Sequence, residues 1–122
     1  MAMTAKVLIG LIAFMHVYFF LLESVLFRTR GRRVFGIKAE HVDILAPAMS
    51  NQGCYNSFLA AALFIALLHP NPDVAHNFVI YGLACVAVAG IWGALTVKGT
   101  ILFFQTIPAL LALMLYNIAN MK

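Results

Sequence analysis

Four long apolar stretches dominate this sequence and limit what the chain can fold into; they cover about residues 5–27, 47–68, 77–96 and 100–119. As an α-helix, a stretch of about 20 apolar residues crosses the ~30 Å hydrocarbon core of a bilayer. None of the stretches alternates with the period of two that a strand requires, and an open sheet in lipid would leave backbone groups unpaired. The sequence therefore predicts an all-α fold with four transmembrane helices.

Short connections separate the later stretches and set the topology. One contains the Pro-broken segment His69–Asp73 and another is Val97–Gly99. Such connections place consecutive helices antiparallel, which predicts an up-down-up-down four-helix transmembrane bundle. The chain is 64% hydrophobic and 10% charged, whereas soluble domains are about half apolar and a quarter charged. We expect one transmembrane domain over residues 1–122, with a basic first loop over 28–46.

Basic residues are distributed unequally between the two sides of the predicted bundle. The first and third connections carry Arg28, Arg30, Arg32, Arg33, Lys38 and Lys98. The opposite side carries Lys6 and Lys122. By the positive-inside rule, both connections face the cytoplasm and both termini lie on the non-cytoplasmic side. Because the arginines flank apolar helices, we expect them to contact anionic lipid headgroups rather than nucleic acid, with a specific phosphate ligand as the alternative.

Polar side chains inside the apolar stretches define the candidate site. At membrane depth, ionisable groups normally face a bundle interior, a cavity or a partner. Antiparallel helices would gather polar residues from all four helices in one leaflet: Glu23, Asn51, Gln52, Tyr55, Asn56, Thr96, Lys98 and Gln105. His16 would lie near the bilayer centre, two turns along the first helix from Glu23. We expect a ligand-binding pocket near the cytoplasmic side, with Glu23 and His16 as candidate acid and base. The alternative is that these groups only hydrogen-bond between helices and stabilise packing.

Other features predict local structure. Residues 37–45 mix apolar and charged residues, which indicates a short helix lying in the membrane interface. Pro108 predicts a local bend in the fourth helix, and Tyr18, Tyr81 and Tyr116 are interpreted as packing or interface residues. The cysteines lie inside apolar stretches and form no metal-binding motif, so neither a metal nor a cofactor is predicted.

Four motifs resemble the bacterial membrane proteins catalogued as domain of unknown function 1304: His16–Glu23, Arg30–Gly36, Asn51–Asn56, and Thr96 through Ala109. The resemblance covers nearly the whole chain. It implies a compact four-helix protein of the bacterial cytoplasmic (inner) membrane and no activity, because the family is named for lacking one. Lys38 departs from the family's pattern, which has a small helix-capping residue at that position.

Three functions fit these observations. The first is binding or conversion of a small lipophilic molecule at the polar pocket. The second is proton-coupled export, since length, four spans and a glutamate in the first helix are similar to small multidrug transporters. Against it, the glutamate of those transporters sits deeper and their loops carry little charge bias. The third is a structural or accessory subunit. The sequence leaves the oligomeric state open, a homo-oligomer included.

Overall fold

A computed structural model describes residues 1–121, and over that range the chain is helical apart from its connections. The α-helices are α1 (Met3–Glu23), α2 (Arg32–Val34), α3 (Val42–Leu68), α4 (Pro72–Thr96) and α5 (Ile107–Asn120). Two π-helical segments, Phe27–Gly31 and Leu102–Thr106, are named here the first and second π-turns, and a 3₁₀ turn covers Ala39–His41.

Among residues 1–121, four helices are long and apolar enough to cross a membrane. They are Met3–Glu23, Ala39–Leu68, Pro72–Thr96 and Leu102–Asn120. The prediction of an all-α fold with four apolar helices is confirmed. The side on which the termini lie stays a prediction.

The start of α4 illustrates how local sequence fixes a helix boundary. The Asn71 side chain caps the helix, because its Oδ1 accepts hydrogen bonds from the backbone N–H groups of Asp73 at 2.8 Å and Val74 at 3.3 Å. Pro72 follows at the first helical position, where a missing N–H costs nothing. The negative charge of Asp73 in the first turn complements the helix dipole.

The chain forms two compact units. The first contains Met1–Ala13 and the chain from Ala61 onward, so it holds parts of all four long helices. Within it, Gly82 of α4 approaches the side chain of Leu63, and Gly10 of α1 lies near Leu67. Leu115 of α5 lines a groove with residues from the start of α1. The start of α1 therefore meets the ends of α3 and α5, as the antiparallel prediction requires.

The second unit, Phe14–Ala60, contains the second half of α1, the connection after it and most of α3. The first π-turn folds back onto the end of α1. At Gly31, a Cβ atom would lie 1.9 Å from the carbonyl oxygen of Leu22, so only glycine fits. Phe27, which is 1% exposed, anchors the same turn.

Residues 28–46, predicted as a basic loop with a short interfacial helix, are mostly helical. The 3₁₀ turn Ala39–His41 leads directly into α3 at Val42, so Ala39–Leu68 forms one helix of 30 residues. Val42 is buried and Ala46 is half-buried one turn later. These two residues place one face of the first turns against the protein, so this segment packs as the start of α3.

The predicted irregularity at Pro108 takes the form of the second π-turn, which ends two residues before the proline. A proline lacks the N–H for a regular helical hydrogen bond, and its ring crowds the preceding turn. Widening that turn relieves the crowding, and such bulges recur at functional positions in helices.

Candidate functional site

A carboxylate and an amide meet inside the second unit. Glu23 is the last residue of α1, and the Nδ2 atom of Asn56 on α3 donates to its Oε2 at 2.6 Å. The same Nδ2 atom lies 3.4 Å from the carbonyl oxygen of Gln52. Asn56 is 8% exposed and Glu23 is half-buried. The sequence-based prediction named both residues, and the structure pairs them across 33 positions of sequence.

A glycine one turn before Asn56 allows this pairing. A Cβ at Gly53 would lie 3.1 Å from the carbonyl oxygen of Phe20 and 3.2 Å from the Cβ of Glu23. Because Gly53 has no side chain, α3 approaches the backbone of α1 closely. Asn56 lies three residues further along the same helix face. The close approach therefore sets the short donor–acceptor distance.

His16 lies on α1 seven residues before Glu23, which corresponds to two helical turns or ~10 Å of rise. It is fully buried, and its ring makes an edge contact with Phe19 at 5.7 Å between centroids. The two candidate acid–base residues thus occupy one face of one helix at different depths. That spacing suits opposite ends of one molecule better than a shared proton.

Three other predicted site residues on α3 are exposed on the protein surface. Asn51 and Gln52 are exposed, and Tyr55 is 56% exposed and packs edge-on against Phe58. On α3, the buried positions Gly53, Asn56 and Ala60 form one face. Asn51, Gln52 and Tyr55 lie off that face, so the structure does not bring them to the Glu23–Asn56 pair.

The remaining predicted residues belong to the first unit. The hydroxyl of Thr96 donates to the carbonyl oxygen of Trp92 at 2.7 Å, within its own helix. Lys98 is exposed in the turn after α4, and Gln105 is half-buried in the second π-turn. The grouping of these three residues with Glu23 stays a prediction. Beside Gln105, the buried Thr106 donates to the carbonyl oxygen of Ala87 at 3.0 Å.

Tyr18 has a polar partner that the sequence did not indicate. Arg30 of the first π-turn donates from Nε to the Tyr18 hydroxyl at 2.9 Å. The guanidinium carbon lies 5.8 Å from the ring centroid, within the range of a cation–π contact. The two residues are 12 positions apart, and only the fold-back of the π-turn brings them together.

A second tyrosine interpreted as a packing residue also forms a hydrogen bond. In the first unit, the Tyr116 hydroxyl and the Nδ1 atom of His76 lie 2.8 Å apart. Tyr116 is 5% exposed, and its ring lies 5.6 Å from the imidazole. His76 was not among the predicted site residues, because it lies early in α4 and 40 residues from its partner.

The basic connection forms a shallow groove on the second unit. Arg28 of the first π-turn forms an ion pair with Asp43 of α3, and both side chains are largely exposed. Arg28, Arg32, Ala39, Val42 and Asp43 line a groove of 260 Å³. Of the four arginines predicted to contact lipid headgroups, only Arg28 and Arg32 line it. Arg30 is held by Tyr18, and Arg33 is exposed on the surface.

These features define a small all-α, multi-pass membrane protein with a carboxylate–amide pair between two of its helices. The chain belongs to the family described as Protein of unknown function (DUF1304), whose model matches residues 10–117. No curated protein and no solved structure matches the chain.

Proposed function

We propose that this protein binds a small lipophilic molecule in the cytoplasmic membrane of a bacterium, with Glu23 and Asn56 holding the polar group of that molecule. The observation that carries the proposal is the 2.6 Å hydrogen bond between these two side chains. A carboxylate at the end of a membrane-spanning helix is costly unless it is paired or has a role in binding.

The chemistry of the pair favours a ligand that donates hydrogen bonds. Asn56 donates to one carboxylate oxygen of Glu23, and a carboxylate has about four acceptor sites on its two oxygens. A hydroxyl or amine group suits the sites that remain. The Asn56 amide oxygen is a further acceptor for the same group. His16, two turns along α1, would then lie beside the apolar part of the molecule.

The depth of the pair fits an amphipathic ligand. Helix α1 has 21 residues, and at 1.5 Å per residue it spans ~30 Å, about one hydrocarbon thickness. Glu23, as its last residue, would then lie at the boundary between hydrocarbon and headgroups. We propose that this boundary is the cytoplasmic one, because the adjacent connection carries four arginines. A ligand there would keep its polar group near water and its tail in lipid.

Native mass spectrometry tests this function because it detects a bound small molecule by its mass, whatever the chemical identity of that molecule. The full chain would be extracted from its own membrane with a polymer that retains surrounding lipid, and the small molecules that remain bound would be recorded. We expect a retained molecule in the wild type that is lost in Glu23→Gln and in Asn56→Leu. Matched controls are Glu40→Gln and Asn117→Leu, which make the same changes at exposed positions and should retain the molecule.

The alternative functions predict other outcomes. A proton-coupled exporter would release protons into a weakly buffered solution when tetraphenylphosphonium is added, and Glu23→Gln would abolish the release. A structural subunit would give the same retained molecules in all four variants, and that result would contradict the proposal. Loss of the molecule in the control variants would contradict it as well.

A further inference from the structure

We propose that the groove formed by Arg28 and Arg32 is a binding site for a phosphate group, separate from the Glu23–Asn56 pair and independent of its function. The groove has a volume of 260 Å³ and is lined by two arginines, one aspartate and the small apolar residues Ala39 and Val42. Arginine is well suited to phosphate because its planar guanidinium presents five donors in a fixed fork.

The first π-turn and α2, which follows it directly, present the two arginines from a fixed base. Phe27 is fully buried beside Arg28, and Gly31 abuts the backbone of Leu22 just before Arg32. Arg28 and Arg32 are four residues apart in consecutive helical segments, a spacing that places both side chains on one side. The backbone is therefore held in place immediately before each of the two arginines.

Asp43 orients Arg28 without occupying all of its donors. The carboxylate Oδ1 of Asp43 accepts from one terminal nitrogen of Arg28, Nη1. The Nε and Nη2 atoms of the same guanidinium can still donate to a phosphate oxygen. An aspartate in a groove for an anion looks unfavourable, but here it acts as a positioning residue that fixes the arginine.

The location of the groove favours a phosphate at headgroup depth. Its lining residues come from the segment between the end of α1 at Glu23 and the first turns of α3. Because the 21 residues of α1 span about one hydrocarbon thickness, we place these ends where the hydrocarbon region of the membrane stops. Two sources can supply a phosphate there: an anionic lipid headgroup or a phosphate compound from the aqueous phase.

The test is a binding titration of the purified full chain in detergent, measured by native mass spectrometry with three probes. The probes are a short-chain phosphatidylglycerol, the matching phosphatidylcholine, and inorganic phosphate. We expect phosphatidylglycerol to bind more tightly than phosphatidylcholine. Arg28→Gln and Arg32→Gln should each weaken its binding about tenfold, as loss of one charge-assisted hydrogen bond does.

Two variants distinguish a defined site from general attraction between opposite charges. Arg33→Gln removes the same charge as Arg32→Gln from the neighbouring position, which does not line the groove, and should leave binding nearly unchanged. Asp43→Asn makes the chain more positive, yet it should weaken binding because Arg28 loses its orientation. General attraction predicts equal losses in Arg32→Gln and Arg33→Gln and tighter binding in Asp43→Asn.

The source of the phosphate follows from the probes. If inorganic phosphate binds with the same dependence on Arg28 and Arg32, the groove recognises phosphate in solution as well as in lipid. If only phosphatidylglycerol binds, the occupant is a lipid headgroup. Two kinds of result would overturn the proposal. One is equal affinity for phosphatidylglycerol and phosphatidylcholine with no binding of inorganic phosphate. The other is either of the results expected from general attraction.

Discussion

The hydrogen bond between Glu23 and Asn56 should contribute measurably to stability, and a double-mutant cycle isolates that contribution. The cycle consists of Glu23→Leu, Asn56→Leu and the double variant, each unfolded by titration with sodium dodecyl sulfate in mixed micelles. The coupling free energy is the part of the two losses that is not additive. The readout is helix unfolding followed by circular dichroism.

The expected size follows from the geometry. Hydrogen bonds between membrane helices average about 0.6 kcal/mol and reach about 1.7 kcal/mol in such cycles. The Glu23–Asn56 bond, at 2.6 Å with a donor residue 8% exposed, belongs near the upper end of this range because it is short, charge-assisted and shielded. We therefore expect a coupling of about 1.5 kcal/mol. Glu23→Gln should cost less than Glu23→Leu, because the amide oxygen of glutamine still accepts from Asn56.

An exposed ion pair on the same unit provides the comparison. Arg28 and Asp43 are joined, but their side chains are 62% and 89% exposed. Water and salt screen such a pair, so its coupling should lie between about 0 and 1 kcal/mol. A coupling for Glu23 and Asn56 no larger than that of Arg28 and Asp43 would refute the argument that burial makes the first pair stronger.

Two further predictions concern the first unit. Gly90→Ala should lower the free energy of unfolding by about 1–3 kcal/mol, because the new Cβ would lie 2.3 Å from Oγ1 and 2.8 Å from the backbone nitrogen of Thr106. The control Gly10→Ala should not destabilise the protein, because its Cβ meets only an ordinary contact at 3.8 Å. Equal losses in the two variants would contradict the close approach at Gly90. Tyr116→Phe should cost about 1 kcal/mol by removing the hydrogen bond to His76, and an unchanged melting temperature would show that this bond is not formed in detergent.

The number and class of the helices could be predicted from the sequence because lipid imposes a length on each apolar stretch. The apolar stretch that begins at about residue 77 did not indicate the start of α4, because the cap formed by Asn71 and Pro72 begins that helix five residues earlier. The segment predicted as a short interfacial helix is helical, but it is continuous with α3, and its place in the membrane interface stays a prediction. Charged residues between Lys38 and Asp43 gave that segment an interfacial pattern, while burial of Val42 joins it to α3.

Which face of each helix is buried could not be predicted as well as the number of helices. In a soluble helix, an apolar stripe marks the buried face, but a membrane helix has apolar residues on its lipid-facing side too. For α3, hydropathy alone did not distinguish Asn56, which is buried, from Asn51 and Gln52, which are exposed. The distinguishing signal was Gly53, since a residue without a side chain marks the face where two helices approach closely.

The contacts that involve the first π-turn also could not be predicted from the sequence. Arg30 reaches Tyr18 and Arg28 reaches Asp43 because the chain turns back at Gly31 onto the end of α1. Such a turn depends on one close backbone contact rather than on a periodic pattern. Charge alone indicated a membrane-facing basic segment, without indicating which arginines share a groove.

Photo-crosslinking next to Glu23 tests the central claim most directly. A photoreactive phenylalanine analogue replaces Phe20, which is half-buried one turn before Glu23 and has its backbone carbonyl beside Gly53, and the control replaces Phe103, exposed in the second π-turn. After irradiation in living cells, mass spectrometry of the purified chain identifies what is attached. We predict a discrete small-molecule adduct at position 20 that is absent at position 103 and disappears when Glu23→Gln is added. The same set of lipid adducts at both positions, unaffected by Glu23→Gln, would contradict a ligand site at the Glu23–Asn56 pair.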